Sequence, residues 1–251
     1  MTFTRILGLA GLLIVAPVFA QSGSESEPTV TTVEEEAMAE PVALAGADET
    51  AGPGDVARGQ EKSATCVACH GIDGNSSDPQ YPKLAGQHER YIARHLELYR
   101  SGERQNAIML GFAAGLSAQD MRDLGAFYAT QAGSPGIADE TIIAEGPNEG
   151  RAFFEPGQDL WRAGDASRGI PACAACHGPS GAGNPGPAYP KLRGQHAEYT
   201  AMMLRQYRDG LVLPGEHLGD VMATISRDLT DEEIDSLASF IEGLHDARAT
   251  P

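Results

Sequence analysis

The feature that most constrains this chain is that it repeats itself. "CVACHG" at residue 66 returns as "CAACHG" at 173, and "YPKLAGQH" at 81 returns as "YPKLRGQH" at 189. "YIARHLELYRSG" (91–102) shares its polarity pattern with "YTAMMLRQYRDG" (199–210). Met109, eight residues before Ser117, is answered by Met222, eight before Thr230. The offset drifts from 107 to 108 to 113, which places the length differences in loops. Four blocks recurring in one order mark an internal duplication. They predict two tandem domains, residues 54–133 and 152–251, joined by a Gly/Pro/Glu-rich linker at 134–151.

The pattern inside each unit is helical, with no sustained alternation of the kind a strand shows, so the expected class is all-α. Ser117 and Thr230 stand where helix N-caps belong, and Glu233 completes a capping box with Thr230. Behind them Met121, Leu124 and Tyr128 form one apolar stripe, and Ile234, Leu237, Ile241 and Leu244 the other. Units of this size bury little apolar area on their own. Something bulky is expected in each core.

The chain spends all four of its cysteines on two copies of C-x-x-C-H. A zinc ribbon would bring its two pairs within about 15 to 20 residues of each other, and here the separation is 107. Either pair alone would leave a zinc short of ligands. A thioredoxin-like redox pair needs a βαβ context that is missing. Disulfides would not explain a His after each pair. Covalent haem c explains it. Residues i and i+3 of a helix share one face, so both thiols reach the two vinyl groups of one porphyrin while the next residue points at the iron. Cys66, Cys69 and His70 are assigned to one haem, and Cys173, Cys176 and His177 to a second.

The repeat also filters the sixth ligand. Of seven methionines, Met1 and Met38 lie outside the two units, Met121 corresponds to Ile234, and Met202 and Met203 correspond to Arg94 and His95. Met109 and Met222 are equivalent to each other, and each precedes the last helix of its unit. They are the expected axial ligands. His88 and His196 also match and would make both irons bis-His; following "KLAGQ" and "KLRGQ" directly, they are read instead as packing or supporting residues. His95, His217 and His245 have no repeat partner and are expected at the surface. A soft thioether favours Fe(II) and raises the potential relative to bis-His haem. It also fills the sixth position, which suits an electron carrier and not a peroxidase or a ligand sensor.

The first 20 residues place Arg5 before an apolar run and small residues at Val18 and Ala20, the pattern of a signal peptide cut before Gln21. The run from Ile6 to Ala16 is shorter than a membrane span requires, so no integral membrane segment is expected after processing. Residues 21–53 form an acidic tail expected to be disordered: the stretch 21–57 holds nine acidic side chains and no Lys or Arg. Net charge is −17, which argues against nucleic acid and anionic lipid and favours redox partners with a basic docking patch. A homodimer stays open.

Taken together, "CVACHG…YPKLAGQH…RQNAIM…GLSAQDMRDLGAFY" and "GIPACAACHG…YPKLRGQH…M…LTDEEIDSLASFI" resemble the dihaem cytochrome c4 family, over about residues 54–246. The acidic tail is not part of that pattern. The resemblance implies two cytochrome c-type helical domains packed about a pseudo-twofold axis, with haems close enough for rapid electron exchange. It implies that a proline carbonyl, here that of Pro82 or Pro190, accepts the ring N–H of each ligand His. Arg104 matches a family arginine that approaches a haem propionate; the second unit, "DGLVLPGEHLGDVM", is longer and lacks it. The function implied is electron transfer in the periplasm between respiratory-chain donor and acceptor proteins. The alternative is the dihaem subunit of a dehydrogenase, such as a sulfide-oxidising flavocytochrome.

Overall fold

The computed structural model describes residues 51–210 and 217–245, the side chains of 217–219 excepted. The expected signal peptide and all but the last three residues of the acidic tail lie outside the described residues. The elements are α1 (Val56–Lys62), a 3-10 turn (Ser63–Thr65), α2 (Val67–His70), α3 (Glu89–Ser101), α4 (Ala107–Ala113) and α5 (Ala118–Thr130) in the first repeat. The second repeat holds α6 (Glu155–Ala163), α7 (Ala174–His177), α8 (Ala197–Arg208), α9 (His217–Ser226) and α10 (Asp231–Gly243). Among the described residues no strand forms, only three isolated bridges.

The last helix of each unit starts as its sequence dictates. Ser117 Oγ accepts from Asp120 N at 3.1 Å while Asp120 Oδ2 accepts from Ser117 N at 3.0 Å, a capping box at the head of α5. Thr230 and Glu233 repeat it on α10 at 3.2 and 2.9 Å. From there Met121, Leu124 and Tyr128 run down the buried face of α5, and Ile234, Leu237 and Ile241 down that of α10.

Each first helix crosses its last helix at a glycine. A Cβ on Gly59 would lie 1.9 Å from the carbonyl oxygen of Asp123, and one on Gly157 2.3 Å from that of Ser236. Side-chain volume is then traded between the units one turn further on. The first unit has Ser63 and Tyr128 where the second has Trp161 and Ile241, and all four are buried. The polar anchors differ too. Asp123 takes Arg58 Nε at 2.7 Å, Arg58 Nη2 at 3.0 Å, Asp55 N at 2.8 Å and Gln119 Nε2 at 2.9 Å, whereas Ser236 Oγ takes only Gly157 N, at 2.6 Å.

The 134–151 segment is irregular but docked: Gly136 N donates to Glu242 O at 3.0 Å and Asp139 N to Ser239 Oγ at 2.8 Å. At the other end Gly52 N donates to Gln119 Oε1 at 2.9 Å, so the chain is already held to α5 before residue 54. All the described residues fall within one compact unit. No described helix is long and apolar enough to cross a membrane.

Candidate functional site

Both C-x-x-C-H motifs fold as a single helical turn. The N–H of His70 donates to Cys66 O at 3.0 Å and that of Cys69 to Cys66 O at 3.3 Å; His177, Cys176 and Cys173 give the same two distances. Positions i, i+3 and i+4 therefore share one face. The turn ends at Gly71 (φ 81°) and Gly178 (φ 76°), a conformation that costs glycine little. This is the physical content of the G that follows each motif. All four thiols are free of disulfide bonds, and burial pushes those of Cys66 and Cys173 up, the latter to about 11.

The two histidines are buried and held alike. His70 Nδ1–H donates to Pro82 O at 2.9 Å and His177 Nδ1–H to Pro190 O at 3.1 Å. Desolvation keeps both rings below the usual imidazole range, in the neutral form a metal ion binds. With Nδ1 occupied, Nε2 is the free donor atom, and its tautomer is set by the proline carbonyl. Tyr81 and Tyr189, one residue before those prolines, pack their rings 6.3 and 6.1 Å from the imidazoles.

A single cavity of about 870 Å³ runs past both motifs. Met109 and Met222 line it, whereas His88 and His196 do not. The His196 ring instead crosses to the other repeat, Nε2–H donating to Ser76 O at 2.9 Å. Most of the wall is apolar, and Thr200 presents a buried hydroxyl there with no hydrogen-bond partner among the described residues. The polar end carries the Arg104 guanidinium with Tyr91, Tyr99, Tyr199 and Tyr207. An apolar slot with thiols and an imidazole on one wall, a thioether available, and a buried cation among phenols fits an amphipathic macrocycle bearing carboxylates. Among the described residues no cluster of three or more His, Cys, Asp or Glu could hold a bare metal ion.

Three residues stand apart from the sequence expectation. His95, expected at the surface, is buried between the units: Arg104 Nη1 donates to its Nδ1 at 2.9 Å, and the Tyr91 ring packs 4.2 Å away. Lack of a repeat partner misled here, because a pseudo-symmetric interface buries non-equivalent residues along its axis. Gln87 and Gln195 received no role although they recur, and both are buried across the interface, clasping the opposite repeat. His245 is exposed as expected, and the side chain of His217 lies outside the described residues.

With this geometry established, the profile of the Cytochrome c family matches residues 56–131 and 154–245, one segment per repeat. Cytochrome c4 of Pseudomonas aeruginosa is 41% identical over 194 residues, covering 76% of this chain and 90% of its own. The chain belongs to the cytochrome c4 family. The structure of reduced recombinant cytochrome c4 from Pseudomonas stutzeri superposes with a TM-score of 0.69 at 39% identity, over 76% of this chain and 100% of its own. A thiosulfate dehydrogenase electron acceptor of Thiomonas intermedia is 35% identical over 203 residues, 80% of this chain and 88% of its own. As a cytochrome c4 family member the chain is all-α with two cytochrome c domains, carries two covalently bound haem c groups, and is an electron carrier rather than an enzyme.

Proposed function

We propose that this cytochrome is a periplasmic shuttle that moves electrons one per haem between respiratory-chain proteins. When bound, each haem would supply a reversible one-electron Fe(III)/Fe(II) couple. Cys66 and Cys69, and Cys173 and Cys176, tether the two groups. His70 and His177 would ligate the irons, with Pro82 and Pro190 fixing their rings. Met109 and Met222 would supply a second ligand to each and exclude water and small ligands. Arg104 faces a porphyrin carboxylate at the polar end of the first site.

The observation that carries this reading is the shared cavity: both motifs, both methionines and Arg104 line one continuous space within one compact body. Two redox centres so placed exchange electrons internally without a partner. The acidic composition, −17 over the chain, favours donors and acceptors with basic docking patches.

A second reading has its own support, the resemblance to a protein named as the electron acceptor of thiosulfate dehydrogenase. Native purification followed by haem absorbance separates the two. A shuttle elutes alone or as a dimer of itself, with two haems per chain and a reduced spectrum unmoved by carbon monoxide. Co-elution with a dehydrogenase at fixed stoichiometry would assign it to that enzyme, and rapid carbon monoxide binding would refute closure by the methionines.

A further inference from the structure

Each repeat reaches into the other at the same sequence position. Lys83 N donates to Gln195 Oε1 at 2.9 Å, and Gln195 Nε2 donates back to Lys83 O at 3.0 Å. In mirror image, Lys191 N donates to Gln87 Oε1 at 2.9 Å, and Gln87 Nε2 to Lys191 O at 2.9 Å. The orientation of each amide is fixed by a third bond. Gln87 Oε1 also accepts from His88 N at 3.0 Å, and Gln195 Oε1 from His196 N at 3.1 Å. A flipped amide would turn its NH2 towards two donors.

The N–H of Lys83 and the carbonyl of Pro82 belong to one planar peptide group. That carbonyl is the one accepting from His70 Nδ1–H, at 2.9 Å. Likewise the Lys191 N–H shares its peptide with the Pro190 carbonyl, which accepts from His177 at 3.1 Å. Two unbroken hydrogen-bond chains therefore cross the interface in opposite directions. One runs from the Gln195 oxygen through peptide 82–83 to His70, and the other from the Gln87 oxygen through peptide 190–191 to His177.

A peptide whose N–H is engaged carries more negative charge on its oxygen, a cooperative gain of roughly 10–30% per bond. A stronger acceptor at Nδ1 makes the imidazole a better donor to a metal, and a better donor favours Fe(III). We propose that Gln87 and Gln195 are positioning residues that act across the interface, each tuning the ligand histidine, and so the potential, of the haem in the other domain. The proposal rests on His70 and His177 being the iron ligands.

The test is a redox titration of the two-haem protein, with each haem followed by its hyperfine-shifted proton resonances. Those of the His177 haem are assigned through Trp161, whose ring lies 6.4 Å from His177. Gln195→Leu preserves bulk and removes the chain to His70. It is expected to favour Fe(II) at the His70 haem by about three- to tenfold, the upper figure being about 59 mV for one electron. The His177 haem should stay where it was, and Gln87→Leu should do the converse. Gln195→Glu keeps an acceptor for Lys83 N and should return the His70 haem to, or below, its starting potential. Arg90→Ala cuts another cross-repeat bond, to Gly186 O at 3.3 Å, without touching either peptide, and should move neither haem. A shift confined to the haem of the substituted domain, equal shifts at both, or the same shift from Arg90→Ala would overturn the proposal. Failure of the ligand assignment reads differently: the unsubstituted protein would then lack low-spin His-ligated haem.

Discussion

Arg104 donates from Nη1 to His95 Nδ1 at 2.9 Å, which makes the imidazole an acceptor and therefore neutral. Burial, and then the charges of Arg104 and Arg94, hold His95 well below the ordinary histidine range. Among the described residues this guanidinium also meets uncharged groups: the Tyr199 hydroxyl at 3.1 Å, Met203 Sδ at 3.2 Å and the Tyr99 ring at 4.8 Å. A buried cation whose contacts among the described residues are with neutral groups is a receptor for an anion, and the cavity it lines is where a porphyrin carboxylate would come.

The first expected outcome follows from that. A positive charge beside a haem favours the reduced state, so Arg104→Gln should lower the potential of the first haem by roughly tenfold in its Fe(II)/Fe(III) ratio, about 59 mV. Arg104→Lys, keeping the charge without the fork, should lose less. A potentiometric titration with both variants indistinguishable from the parent would remove Arg104 from the propionate role.

Acid stability of the first unit should depend on Asp123. The Arg58 guanidinium, with the Asp55 N–H and Gln119, holds the Asp123 carboxyl at about 2. Because the folded value lies below the unfolded one, the stabilisation is complete above pH ~4 and is lost as pH falls towards 2. It amounts to about 2 kcal/mol at neutral pH. Asp123→Asn should cost about that much at pH 7 and much less near pH 2, in denaturant melts at both pH values. Ser236, the equivalent residue of the second unit, has no such dependence to lose.

How legible this was differs from residue to residue. The capping boxes at 117 and 230 and the stripes behind them are local, set by spacing along one helix, and the sequence displays them outright. The haem turn is equally local, down to the glycine that ends it. His95 and the reciprocal glutamines depend instead on which face one repeat turns to the other. Periodicity within a repeat carries no information about that. Recurrence of Gln87 as Gln195 was the available signal, since a polar residue kept in both copies outside the haem-binding motif points to the contact between the copies.

The helix crossings at Gly59 and Gly157 admit no side chain. Gly157→Ala would press a methyl group onto the Ser236 and Leu237 backbone, where nothing flexible can yield. Overpacking of this kind costs about 1–3 kcal/mol. Thermal unfolding monitored by haem absorbance should show the midpoint fall by several degrees. A melt superimposable on that of the parent would mean the crossing relaxes.

The axial methionines offer the most discriminating outcome. If Met109 and Met222 close their sites, each can be opened separately. Met109→Ala should give a chain in which one haem of the two binds carbon monoxide when reduced, with the other unchanged, and Met222→Ala should give the same stoichiometry from the second site. The histidine replacements carry the sign: an imidazole in place of a thioether favours Fe(III), so Met109→His should lower one potential and leave the other in place. His88 and His196, which do not line the cavity, should be replaceable by Gln without opening either haem. Carbon monoxide binding in a His88→Gln protein, with Met109→Ala still closed, would exchange the two assignments.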